Sequence, residues 1–221
     1  EEKMLVNHSN GTVSFSIFDQ FPEVLCVMST RGLGDLNVGK RPLENALPLT
    51  RLYGIQLKHI VAMQQIHGGN VEIIASTPIG NVIPEADGVA TNSKDLYLCV
   101  KSADCVPIFF YNPDQKIIGA AHSGWKGTMQ NVVKNVLTEI GKLGAKPETT
   151  FVAIGPHIGA CCYSILPERA ALLEPLFNKS ILFKNDDVWF FDLGQAVRLQ
   201  LLDEQILPEH IDAPITCTSC H

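Results

Sequence analysis

The chain has 221 residues, 46% of them apolar and 18% charged, with a mean hydropathy of +0.12; this balance excludes a disordered segment or a coiled coil and suits one globular core. Seventeen Lys and Arg against 23 Asp and Glu give a net charge of −6, and the thin spread of basic residues argues against a nucleic-acid backbone binder and for small-molecule partners. Uncharged, mostly apolar stretches such as residues 106–113 fall far short of the roughly 20 apolar residues that span a bilayer, so no membrane partner is expected. The polar start, Glu1 to His8, holds no apolar signal region. Seven cysteines at irregular spacing suit a reducing, cytoplasmic setting better than a disulfide framework. With no repeat or linker composition, residues 1–221 read as one domain.

Residues 24–30 form the first apolar run bounded by turn residues and read as a strand. Arg31 follows, where its planar fork suits a phosphate or carboxylate as well as a bare surface position. Residues 42–53 read as a helix and 60–64 as a strand, which ends in the Gly-rich corner Gln64-Gln65-Ile66-His67-Gly68-Gly69-Asn70. Strands are predicted at 71–75 and 96–102. Cys105 then sits in the polar interruption Ser102-Ala103-Asp104-Cys105 before an apolar strand, 106–111. A carboxylate between apolar strands is costly to bury unpaired, so Asp104 marks a strand end facing a site.

Asn112-Pro113-Asp114-Gln115 joins strand 106–111 to strand 116–121 and predicts an antiparallel hairpin. Its open end carries both Cys105 and His122. After His122, Ser123-Gly124-Trp125-Lys126-Gly127 turns into a helix over 128–143, where Met129, Val132, Val133, Val136, Leu137 and Ile140 recur at helical spacing; the turn's N–H groups and Lys126 suit an anion. A strand at 149–154 leads to a Gly- and Pro-containing loop and to vicinal Cys161-Cys162, read as two buried small residues rather than a redox pair. Helices follow at 167–176 and 193–206. Cys217-Thr218-Ser219-Cys220-His221 has the haem-attachment spacing, but without an export signal or any following chain to wrap a haem it reads as a second metal site or an ordinary terminal segment. The fold class is α+β, with a mixed or antiparallel sheet and flanking helices. His67, Cys105 and His122 make a plausible three-ligand Zn²⁺ set with an open fourth position, although their spacing matches no short zinc motif.

Nine segments, in order, resemble the bacterial YfiH/YlmD family, which includes the mammalian laccase domain-containing proteins. They are Ser29-Thr30-Arg31, Leu36-Asn37-Val38-Gly39, Gln65-Ile66-His67-Gly68, Glu85-Ala86-Asp87-Gly88, Ala103-Asp104-Cys105-Val106-Pro107, Ala121 through Gly127, Gly155-Pro156 with Cys162-Tyr163, Asp192-Leu193 and Cys217-Thr218. The resemblance implies a single α+β domain, distantly similar to a cysteine deamidase toxin, with zinc held by His67, Cys105 and His122. It implies a purine nucleoside phosphorylase that splits adenosine, inosine, guanosine and methylthioadenosine with phosphate and also deaminates adenosine. Cys105, His122, His67 and Asp104 are then the expected catalytic residues, and Arg31, Asn37, Asp87 and Lys126 the expected substrate-binding ones. Phosphorolysis needs a phosphate beside the sugar C1′ and a proton for the departing purine, roles that fit Arg31 and Lys126, and Asp104 or Asp87, respectively.

Against the family pattern, the loop after Arg31 is short, no aromatic and Arg-rich segment follows His221, and His157 stands where a small residue is usual. Two rival enzymes are a cysteine hydrolase or deamidase using Cys105 and His122, and a copper-dependent polyphenol oxidase, which requires more histidines than the seven present. A binding module with a purely structural metal is a third reading. The oligomeric state is left open.

Overall fold

The computed structural model describes residues 5–34, 36, 46–78, 81–213 and 216–220. The antiparallel strands β1 (Leu5–Asn7), β2 (Thr12–Phe15) and β3 (Val27–Ser29) form a first small sheet. Helix α1 (Leu47–Leu52) leads to β4 (Ile60–Met63), β5 (Val71–Ile73), β6 (Val82–Ile83), β7 (Gly88–Thr91) and β8 (Tyr97–Cys99). The hairpin β9 (Val106–Asn112) and β10 (Ile117–Ser123) follows, then α2 (Trp125–Met129), α3 (Val132–Lys142) and β11 (Phe151–Ile154). Last come β12 (Ser164–Ile165), α4 (Pro167–Leu173), β13 (Leu182–Asn185), β14 (Val188–Phe191), α5 (Leu193–Asp203) and β15 (Ile211–Asp212). The central sheet runs β15-β11-β9-β10-β7-β5 and is mixed, with parallel pairs at both edges. The architecture is α+β, as expected.

The predicted hairpin forms at the centre of this sheet. Gln115 N–H donates to the Asn112 side-chain oxygen (3.0 Å), and Lys116 takes a left-handed φ of 52°, so the Asn112 side chain helps to close the loop. Strand β9 is buried on both faces, which explains its unbroken apolar run. Val106, Ile108 and Phe110 face the cluster formed by α3 and α5, whereas Phe109 and Tyr111 face Phe15, Ile17 and Phe18 of the N-terminal segment. The alternation is the period of two expected for a pleated strand.

Several elements depart from the sequence reading. The single helix expected over 128–143 is two, α2 and α3, because Asn131 adopts a left-handed φ of 51° and caps α3 by accepting from Lys134 N–H. Helices expected at 167–176 and 193–206 end at Leu173 and Asp203. Of the helix expected at 42–53, Leu47–Leu52 is helical, and 42–45 lie outside the described residues. The short β1, β2, β7, β13 and β14 are not among the expected elements, since three- or four-residue strands leave little periodicity to read. Cys161 is exposed and Cys162 half-buried, which corrects their reading as buried small residues: both lie in a turn after β11, outside the core.

Asn131 carries both a cap and a left-handed backbone. Asn131→Ala is expected to lower stability by about 1–2 kcal/mol, whereas Asn131→Gly, which tolerates the conformation, costs a few tenths; urea denaturation of the two variants checks the order.

Candidate functional site

Asp87 immediately precedes β7, whose Gly88 pairs with Ala121 of β10, so its carboxylate lies beside His122. The carboxylate is fully buried, and such a group is tolerated only if its lone pairs are used. They are. The consecutive N–H groups of Ile66, His67 and Gly68 donate to it at 3.0, 3.1 and 2.7 Å, and His122 Nδ1 lies 2.8 Å from Oδ1. The corner after β4 thus wraps the carboxylate as an anion nest, with His67 at a left-handed φ of 60°. Gln65 exchanges two 2.8 Å hydrogen bonds with the Lys101 backbone, tying this corner to the loop that carries Cys105.

An ionised carboxylate only accepts, so a hydrogen sits on His122 Nδ1, and when the ring is neutral its Nε2 lone pair is left for another partner. In β9 and β10, Pro107 is the partner of His122, which brings Cys105 to the same strand end. The ligating atoms of His67, Cys105 and His122 all lie within 4.8 Å of one another, and the two imidazoles meet edge to face at 4.8 Å between centroids. Gly124 permits this approach: a Cβ there would stand 3.0 Å from Cys105 Sγ and 3.2 Å from the His67 ring. His67 is exposed and Cys105 half-buried, so the cluster opens to solvent.

Burial alone pulls the His122 pKa down, but the Asp87 hydrogen bond and the neighbouring Cys105 outweigh it and raise it to about 9. Burial pushes Asp87 up, and its bonds to His122, Gly68 and Ile66 reverse this and hold it low. His67 is lowered by burial and by the adjacent His122 charge. Two imidazoles and one thiol, the second imidazole oriented by a carboxylate, are a donor set suited to zinc with one position left open.

Around this cluster, Lys126 is exposed on α2 with its ammonium 5.6 Å from the Trp125 ring centre. The Arg169 guanidinium stacks on the same ring at 4.6 Å and donates to the Tyr163 hydroxyl at 3.4 Å. The charge of Cys105 also reaches Tyr163. Sequence reasoning misses Arg169 and Tyr163, since only the Cys162-Tyr163 motif points to this region. Asp104 is exposed and accepts from the Thr218 hydroxyl at 2.8 Å; Arg31 donates to the Thr218 carbonyl at 3.2 Å. Asn37 lies outside the described residues. Asp87, expected to contact substrate or handle a proton, instead lies beneath the cluster with its carboxylate fully engaged.

The family described as multi-copper polyphenol oxidoreductase laccase matches residues 37–221. A purine nucleoside phosphorylase of Rickettsia conorii is 33% identical over 87% of this chain and 79% of its own length. The purine nucleoside phosphorylase YlmD of Geobacillus stearothermophilus is 30% identical over 80% of this chain and 69% of its own. A crystal structure of YlmD from the same organism superposes with a TM-score of 0.88 at 24% identity, covering 99% of this chain and 90% of that one.

Asp87→Asn is expected to weaken zinc binding about 10- to 100-fold, because His122 loses its charged orienting acceptor and the nest meets an amide NH2 in place of one oxygen; competition with a chromophoric chelator measures this. In metal-stripped protein, His122 titrates near 9 when folded against 6.5 ordinarily. A raised folded value stabilises fully below pH about 6.5 and loses that contribution as pH rises through about 9. Urea denaturation of the stripped protein should therefore show stability falling by about 2–3 kcal/mol across that window, with most of the slope absent in Asp87→Asn.

Proposed function

The chain belongs to the laccase-domain family of YlmD and YfiH, and from that premise we propose that it is a zinc-dependent purine nucleoside phosphorylase with residues 1–221 acting as one domain. The observation that carries the reading is the convergence of His67, Cys105 and His122 on one open point, beneath which Asp87 fixes the His122 tautomer. Its substrates are adenosine, inosine, guanosine or methylthioadenosine with phosphate, giving free base and ribose 1-phosphate. In phosphorolysis, a phosphate oxygen bonds to C1′, the bond from C1′ to the purine nitrogen breaks, and the purine leaves with a proton.

Zinc, when bound, supplies a Lewis acid and lowers the pKa of a bound water toward about 7, which also suits deamination of adenosine. Lys126 and Arg169 offer the cations for a phosphate dianion at the rim, and Trp125 holds both against its ring. Asp104, exposed and hydrogen-bonded to the Thr218 hydroxyl, is the residue we assign to the proton of the departing base. Arg31 acts one step removed, through its bond to the Thr218 carbonyl. His67 and His122 are the only histidines grouped with a thiol or carboxylate as metal ligands among the described residues, which supports single-metal chemistry over a multicopper oxidase.

A second reading has its own observation: Asp87, His122 and Cys105 form a carboxylate, imidazole and thiol series of the kind used by cysteine hydrolases. The His67 ring packed against His122 favours metal binding over this series. Alkylation separates the two, since a zinc-bound thiolate resists iodoacetamide until chelator is added, whereas a nucleophile reacts without it.

Chromatography of adenosine or inosine incubated with the protein tests the reading. Base and ribose 1-phosphate should form only with phosphate and should vanish in Cys105→Ala that retains its circular dichroism; product equal in the mutant, or independent of phosphate, overturns it. Arg169→Ala and Lys126→Ala are expected to raise the KM for phosphate about 10-fold or more, the worth of a charge-assisted hydrogen bond, as steady-state kinetics will show.

A further inference from the structure

A second cluster of cysteines lies apart from the proposed reaction centre. Cys161 and Cys162 come from the turn after β11, and Cys217 and Cys220 from the C-terminal segment, yet their four Sγ atoms all lie within 4.8 Å of one another. Cys161 and Cys220 are 3.7 Å apart. Four zinc–sulfur bonds of about 2.3 Å at tetrahedral angles put the sulfurs roughly 3.8 Å from each other, close to the Cys161–Cys220 distance and within the bound on the whole set. A disulfide would require about 2.05 Å.

The backbone is arranged in the same sense. Gly159 N–H donates to Cys217 Sγ at 3.2 Å, and the N–H groups of Ser219 and Cys220 are also directed at that sulfur. In a Cys-x-x-Cys turn, such donors offset the negative charge that thiolates bring to a metal. The two segments are joined by a bridge between His157 and Cys217, with His157 N–H donating to Thr216 and Thr218 N–H to His157 (3.2 and 3.0 Å). Gly159 leaves room for the cluster, since a Cβ there would stand 3.2 Å from both Cys161 Sγ and Cys217 Cβ.

We propose that Cys161, Cys162, Cys217 and Cys220 form a structural zinc site that pins the C-terminal segment to the turn after β11. Four thiolates close the coordination shell, so this site binds no substrate. Its consequence for the reaction centre is mechanical. Thr218, inside the Cys-x-x-Cys turn, donates to Asp104 and accepts from Arg31, and Ile158 N–H donates to the Asp104 carbonyl at 2.8 Å. Pinning this turn therefore braces the residue that precedes Cys105.

The test counts metal and free thiols in the full chain, purified with reductant and without chelator. Elemental analysis should find about two zinc per chain in the native protein, about one in Cys105→Ala, about one in the Cys161→Ser, Cys220→Ser double variant, and none when all three changes are combined. In Cys105→Ala, mass spectrometry should show Cys161 and Cys220, although exposed, protected from iodoacetamide until a chelator is added. This comparison needs no change in the four cysteines, so it holds even if the double variant fails to fold. The proposal is overturned if Cys105→Ala carries no zinc, if Cys161 and Cys220 alkylate at once without chelator, or if the freshly reduced protein returns to a disulfide among the four. None of these outcomes depends on turnover of a nucleoside.

Discussion

The buried Asp87 carboxylate holds the candidate site together. Its four donors come from two distant segments, three from the corner at Ile66, His67 and Gly68 and one from His122 on β10. Each donor would cost about 1–3 kcal/mol if left buried without an acceptor, so the two segments are locked in one arrangement. The same contact sets the chemistry of the imidazole, because it places the hydrogen on His122 Nδ1 and turns the opposite nitrogen toward the cluster.

From that anchor, the rest of the site follows by strand register and steric allowance. Cross-strand pairing in the β9–β10 hairpin sets Cys105 beside His122, and the bare Cα of Gly124 lets the thiol and the His67 ring approach. In our proposal, zinc binding would displace the proton that Asp87 favours on His122, since imidazole must be neutral to ligate. Under the same proposal, the cations of Lys126 and Arg169, both held against the Trp125 ring, receive the phosphate dianion. On the far side, the C-terminal turn braces Asp104 through Thr218, so the segments on either side of Cys105 are restrained by different devices: a carboxylate nest and, in our proposal, a tetrathiolate metal.

Much of this is legible in the sequence where local chemistry is decisive. Asn112-Pro113-Asp114-Gln115 announces its hairpin, and the hairpin brings Cys105 to His122 without any knowledge of the fold. The stripe from Val132 to Ile140 announces α3. His67 is a different case, because nothing in its spacing joins it to the pair; it arrives through the Asp87 nest, a long-range contact that a loop sequence does not encode. Asp87 is expected from sequence to bind substrate or handle a proton, and its orienting role is not legible because the donors that bury it come from a corner about twenty residues away. Arg169 escapes notice because α4 meets Trp125 only in the folded chain. Average burial misleads for the vicinal cysteines, because it takes no account of two distant pairs of thiols meeting. Asn131 breaks the helix through a left-handed conformation that an apolar stripe does not report.

The central claim is that Asp87 organises a metal centre on His67, Cys105 and His122. Anomalous diffraction from crystals of the zinc-loaded protein, recorded on both sides of the zinc absorption edge, tests it most directly. The account predicts a zinc peak within bonding distance of Cys105 Sγ, His122 Nε2 and a nitrogen of His67, about 2.0–2.3 Å, with His122 Nδ1 still on Asp87. A map with no zinc peak among these three residues, and Cys105 Sγ hydrogen-bonded to His122 instead, would contradict it and leave the thiol as a nucleophile.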